Sequence, residues 1–205
     1  MPLVNTNHQN IVTDEEFLEA IQPINIQEIV DNLANNINYT SNHVRFLIEM
    51  INNENHRDDR EKPIALLGSI QLGDEARQEV ITVLVDKLRK DKALVVKIAA
   101  AKALVRIGQD SDNVINALLC QIGFVDEKWT VAKAVSSALA AFGKKDNPNI
   151  NLIPGLILRL RSTEQSSCVA AAEAFEEMSK YDNEILDALL YGLNNHNCAV
   201  RIACI

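Results

Sequence analysis

The sequence predicts an all-helical repeat array, and three observations carry that prediction. Gly73, Gly108 and Gly143 stand 35 residues apart, each closing an apolar segment, with Met178 or Ser179 in the equivalent place one period further on. The chain is 47% hydrophobic but only 4% aromatic, a composition that builds a core from Ala, Leu, Ile and Val and lacks the β-branched alternation of a sandwich. Within each period the apolar residues recur at i, i+3, i+4 and i+7, the spacing of a helix stripe. Self-similarity of this length means stacked helix-turn-helix units that bury their apolar faces only against their neighbours.

Residues 1–12 have no periodicity and are expected to form a flexible tail. Thr13-Asp14-Glu15-Glu16 is a capping box opening a short helix with Phe17, Leu18 and Ile21. A second helix is expected from Ile26 to Ile37, and a third from Val44 to Ile51, capped by Ser41 or Asn42. These segments have no good match to the repeat, so residues 13–56 are predicted to be a helical cap over the first apolar face of the array at 57–205.

The first unit of that array is divergent, running from Pro63 to Gly73 and then from Ala76 to Lys90 with Val80, Ile81, Leu84 and Leu88 as its stripe. The clearest unit follows, with Val96, Ala100, Ala103, Leu104 and Ile107 on one face and a second helix from Val114 to Ile122. Gly108 suits the left-handed position after a helix, and Asp110 or Asp112 is placed to cap the next one. The next unit spans Trp129–Gly143 and Leu152–Ser162. Pro154 falls in the first turn of its second helix, where a missing N–H costs nothing, so that helix should start near Leu152. A third unit reads Cys168–Met178 and then Asn183–Asn194. Ala199 to Cys204 begins another first helix that stops at Ile205, so the array is expected to be cut in mid-repeat and the chain to belong to a larger polypeptide or to lack its C-terminal cap.

Val96-Lys97 through Gly108, the weaker copy from Val131 to Gly143, and Val200-Arg201-Ile202-Ala203 resemble the HEAT-repeat family, in its short form named from phycobilisome lyase subunits. The resemblance covers about residues 58–205 and implies a right-handed α-α superhelix, a HEAT-like α-solenoid. It also implies that the basic residue after the Val, here Lys97 and Arg201, pairs with an Asp from the preceding turn, for which Asp91 and Asp126 are candidates. Ala132 interrupts that ladder.

Net charge is −8, of which −7 falls on residues 1–56. An acidic chain with no basic stripe has few cations with which to release counterions from phosphates, so nucleic acid is not an expected partner. The run Lys87, Arg89, Lys90, Lys92 closes a helix, where cations complement the macrodipole. The polar N-terminus resembles no secretory signal, and no segment reaches the ~18 apolar residues of a membrane span. A cytoplasmic protein is therefore expected, with Cys120, Cys168, Cys198 and Cys204 as reduced, buried thiols.

No nucleophile elbow, His-Glu-x-x-His motif, phosphate loop or paired Cys-x-x-Cys occurs, so no enzyme, cofactor or metal is expected. His196, Cys198 and Cys204 are the nearest to a ligand set, but Cys198 and Cys204 point to different helix faces. Trp129 is expected in the core between repeats. If second helices line a concave face, as the resemblance implies, Asp86, Cys120, Leu158 and Tyr191 form one exposed row and Thr82, Asn116, Pro154 and Asp187 another. Lys87, Gln121, Arg159 and Gly192 flank them. Asp86, Leu158, Arg159, Asp187 and Tyr191 are the candidate partner-binding residues, since aromatic and Arg anchors dominate protein interfaces. The expected function is a scaffold gripping a protein partner. A bilin-lyase-type subunit and self-association through Val200–Ile205 are the alternatives.

Overall fold

The computed structural model describes residues 41–53, 60–122, 129–179 and 182–205, all within one compact unit, Asn38–Ile205. The tail at 1–12, the helices expected at 13–21 and 26–37, and Asp126 lie outside the described residues. Ten α-helices, and no strand, are found among those described. They are α1 (Ser41–Asn52), α2 (Glu61–Leu67), α3 (Asp74–Lys90), α4 (Leu94–Ile107), α5 (Asp112–Ile122), α6 (Trp129–Gly143), α7 (Leu152–Leu160), α8 (Gln165–Met178), α9 (Asn183–Leu193) and α10 (Cys198–Ala203). None is long and apolar enough to cross a membrane.

The helices form two stacked rows. First helices α2, α4, α6, α8 and α10 pack consecutively, as do second helices α3, α5, α7 and α9, and the result is an α-solenoid. Each second helix packs chiefly on the first helix that follows it, α3 on α4, α5 on α6 and α7 on α8, more than on its own predecessor. α1 packs on α2 and α3 in the manner in which α3 packs on α4 and α5, so it heads the second-helix row. Its sequence has no good match to the repeat, because Val44, Leu47, Ile48 and Ile51 supply the buried stripe without the Ala-rich neighbour that marks the other units.

Residue size separates the rows. First helices bury Ala100, Ala101 and Ala103, then Ala138 and Ala140, then Ala170, Ala171, Ala172 and Ala174, whose small side chains let helix axes approach closely. Second helices fill the layer with Leu84 and Leu88, Ile115, Leu118 and Ile122, and Leu152, Leu156 and Leu160, all fully buried or nearly so. Each such side chain contributes about 1.5–3 kcal/mol relative to leaving it in water.

The spaced glycines have three different causes. Gly108 does adopt the left-handed conformation, φ 77°, and Ser179 holds the same place after α8 at φ 53°. Gly143 instead ends α6 against Met178, whose methyl carbon lies 2.3 Å from where a Cβ would stand. Gly73 is extended and immediately precedes α3. The helix expected to run to Gly73 stops at Leu67; Gly68 keeps right-handed angles and sits against Ala103, with 2.7 Å from its would-be Cβ to the Ala103 Cα. The Ser69 hydroxyl then takes the Leu66 carbonyl at 2.8 Å, a bond that competes with continuing the helix.

Neither Asp110 nor Asp112 caps α5. Both are drawn into a clasp with the turn of the next unit: Lys145 pairs with Asp110 at 3.1 Å, and the Asn149 and Asn151 amides each donate to Asp112 at 2.9 Å. Asn149 also donates to the Asp110 carbonyl at 2.8 Å. These donors hold the Asp112 carboxyl below the usual aspartate range, Asn149 contributing most. One unit earlier a single side-chain hydrogen bond, from the Gln78 amide of α3 to the Gln109 oxygen at 3.0 Å, reaches the turn after α4.

Candidate functional site

On the second-helix row the stripe that packs inward leaves a defined outer face. In α7 the buried set Leu152, Leu156, Ile157 and Leu160 turns Pro154 and Leu158 outward, and in α9 burial of Ile185, Ala188 and Gly192 turns out Leu186, Asp187, Leu190 and Tyr191. Leu158 is 70% exposed, Leu190 58% and Tyr191 57%. Large apolar side chains this open on two packed helices are what a monomeric surface ordinarily avoids in clusters. The Arg161 guanidinium lies over the Tyr191 ring, 5.6 Å from its centroid, and links the end of α7 to α9. Sequence reasoning passed over Arg161, Leu186 and Leu190. Arg161 follows the last residue of α7, and only the helix end brings it across to the ring.

Asp86 lies half-buried on α3 and is tied to Lys90 by an i, i+4 ion pair of 2.6 Å. Thr82, Asn116 and Cys120 are exposed, and Arg159 is half-buried. The flanking row expected outside is largely turned in: Gln121 is buried, and Gly192 faces the Cys204 sulfur, 2.4 Å from its would-be Cβ. Gln121 meets Lys97 of α4, and Gly192 meets the residue that ends α10, so each is covered by a first helix. Cys204 is buried while Cys198 and Cys120 are exposed, a partial departure from four buried thiols. Burial, with Cys168 as a second cause, raises the Cys204 thiol above its ordinary range, and burial likewise raises that of Cys168.

The basic ladder takes a different form from the one the resemblance implies. Asp91 receives Arg60, from 31 residues upstream, through both guanidinium nitrogens at 2.5 and 3.1 Å. Lys97 reaches forward to the Gln121 amide oxygen, 3.1 Å away inside the fold. What recurs is the turn: Asp91, Ser162 and Asn195 each accept, through a side-chain oxygen, the backbone N–H two residues on, at 2.9, 3.1 and 2.9 Å. Six residues after the last two, Cys168 donates to the Ser162 carbonyl at 3.0 Å and Arg201 to the Asn195 carbonyl at 2.9 Å. The fourth residue of α8 and of α10 thus secures the preceding turn through a backbone carbonyl, a thiol in α8 standing where a guanidinium stands in α10.

The first-helix row carries a groove. It has a volume of about 590 Å³ and runs between α4 and α6, floored by Ile98, Val105, Ala134 and Ala138 and edged by Lys102, Arg106 and Lys133. Thr130 and Ser137 complete its wall, and Ser137 donates to Glu177 of α8 at 2.8 Å. Beside it Glu173 has its carboxyl raised above the usual range, first by burial and then by Glu176 and Glu177, with Lys133 acting in the opposite sense. Trp129, expected in the core, is 46% exposed. It stands two residues before Val131, the start of the buried stripe, and so points away from it.

No family model matches the chain, and no curated protein does. Among solved structures, the Escherichia coli protein YibA shares the fold, with a TM-score of 0.53 at 20% identity over 94% of this chain and 73% of that one. A designed armadillo repeat protein in complex with a (KR)4 peptide superposes at 0.48, with 18% identity over 87% and 89% of the two chains. An engineered protein gives 0.48 at 20% identity over 94% and 96%. The chain is a helical repeat protein.

Proposed function

We propose that this chain is a HEAT-like, non-catalytic scaffold that binds a protein partner along its second-helix row. One observation carries the reading: Leu158, Leu186, Leu190 and Tyr191 stand exposed together on neighbouring second helices, with Arg161 stacked on the tyrosine. Aromatic, Arg and large apolar side chains supply most of the energy of protein interfaces, and here they sit on rigid helices that cost little entropy to fix. Asp187 is exposed on the same face and Arg159 is half-exposed beside Leu158, with Asp86 half-exposed further along the row on α3, as polar groups that would orient the partner.

In HEAT-like arrays the second helices line the concave side, which suits an extended polypeptide. Affinity capture with the wild-type chain, set beside Leu158→Asp and a paired Tyr191→Ala, Arg159→Ala variant, tests the reading. The same partner should be recovered by the wild type and lost at least tenfold from both variants. Undiminished capture by variants of unchanged circular dichroism would move the site elsewhere.

A further inference from the structure

The groove between α4 and α6 lies on the opposite row from the face just described and has its own chemistry. Its floor is aliphatic: Ile98 and Val105 are half-buried and Ala138 is buried. Its α4 edge carries two exposed cations, Lys102 and Arg106, one helical turn apart, and neither makes an ion pair with any described residue. Lys133 adds a third from α6, while Thr130 and Ser137 offer hydroxyls. On the far side the charge reverses, with Glu173, Glu176 and Glu177 on α8.

Residues 57–205 are near neutral, −8 less the −7 of residues 1–56, so Lys102 and Arg106, with Lys133 across the apolar trough, form a local excess of positive charge on the α4 side. Charge complementarity selects the occupant. A cationic segment would gain nothing at the α4 edge, and a neutral apolar one would leave the cations desolvated without compensation.

We propose that this groove docks an acidic amphipathic helix of a partner protein, laid with its apolar stripe on Ile98, Val105 and Ala134 and its carboxylates toward Lys102 and Arg106. A helix in a groove engages through anchors at i, i+3, i+4 and i+7, and the trough between two parallel-running first helices presents that geometry. The carboxylates of α8 set the polarity: acidic residues of the ligand face α4, and its side toward α8 is uncharged or basic.

The probe is a fluorescein-labelled synthetic helix with Leu at i, i+3, i+4 and i+7, Glu on one flank of that stripe and Gln on the other, titrated with the full 205-residue chain and followed by anisotropy. A control peptide carries Lys in place of each Glu. The Glu peptide should bind at least tenfold more tightly than the Lys peptide, and its affinity should fall as salt rises. The double variant K102E/R106E should lose at least tenfold in affinity for the Glu peptide and gain for the Lys peptide. The variant E173Q/E177Q should bind the Glu peptide more tightly.

Leu158→Asp, on the other row, should leave all of this unchanged, which separates this proposal from the second-helix site. Equal binding of the two peptides, or indifference to K102E/R106E with circular dichroism preserved, overturns it. So does binding of phosphatidylserine vesicles or of a single-stranded oligonucleotide in the absence of Glu-peptide binding, which would make the cations a phosphate-recognising surface.

Discussion

First and second helices bury comparable stripes, yet they leave different things outside. α4 and α6 bury alanines and present Lys102, Arg106 and Lys133 around a trough, whereas α7 buries Leu152, Leu156, Ile157 and Leu160, α9 buries Ile185, Ala188 and Gly192, and the two present Leu158, Leu190 and Tyr191. Small residues bring first helices close enough that long cationic side chains frame the seam between them. On the second helices the residues next around from the buried stripe are apolar and are left open. The same two-helix unit therefore makes a charged face and an apolar one.

The contrast breaks most visibly in the core. Phe175→Ala in α8 removes a fully buried ring and should cost about 3–5 kcal/mol in chemical denaturation. Asp91→Ala strands Arg60, a buried cation, and should cost about 3 kcal/mol, with the turn before α4 loosened in hydrogen exchange. Gly68→Ala drives a methyl into the Ala103 backbone and should cost about 1–3 kcal/mol. Gly155→Ala on the second row meets only the flexible end of Leu119 and should cost less, under about 1 kcal/mol. If the two glycine variants melt alike, the first row is no tighter than the second.

Leu158→Ala should change stability by no more than about 0.5 kcal/mol while weakening partner capture, which distinguishes a binding face from a packing one. The smallest effect is one of pH. Asp112 is lowered by its two amide donors, so its contribution is fully present above the unfolded value of about 4 and is lost as pH falls through the lower folded value. Asp112→Asn should flatten that part of the acid limb of a stability profile; an unaltered limb would show that the clasp contributes nothing.

Helix positions were legible because they rest on periodicity. Leu152 as the start of α7, with Pro154 inside its first turn, follows from the chain alone. So does the left-handed Gly108, since a helix stop followed by polar residues asks for that conformation. Contacts between units were not legible in the same way. Arg60 meets Asp91 and Lys97 meets Gln121 across 31 and 24 residues, distances at which the pattern of one helix says nothing of its neighbour. The regular 35-residue glycines also concealed a close approach at Gly143 and an extended residue at Gly73 behind one spacing. The groove escaped because Lys102, Arg106 and Lys133 are scattered in sequence and become neighbours only when α4 and α6 stack.

That each second helix leans on the first helix after it has a practical corollary for dissecting the protein. The smallest cooperative brick is out of phase with the sequence motif by half a period, reaching from one second helix into the following first helix. Scissions placed at the short bends after Gly108 or Gly143 keep such bricks whole, and shuffled or shortened arrays should be spliced there. Cuts at the motif's own boundaries, between α3 and α4 or between α7 and α8, would instead part each second helix from the first helix on which it packs most.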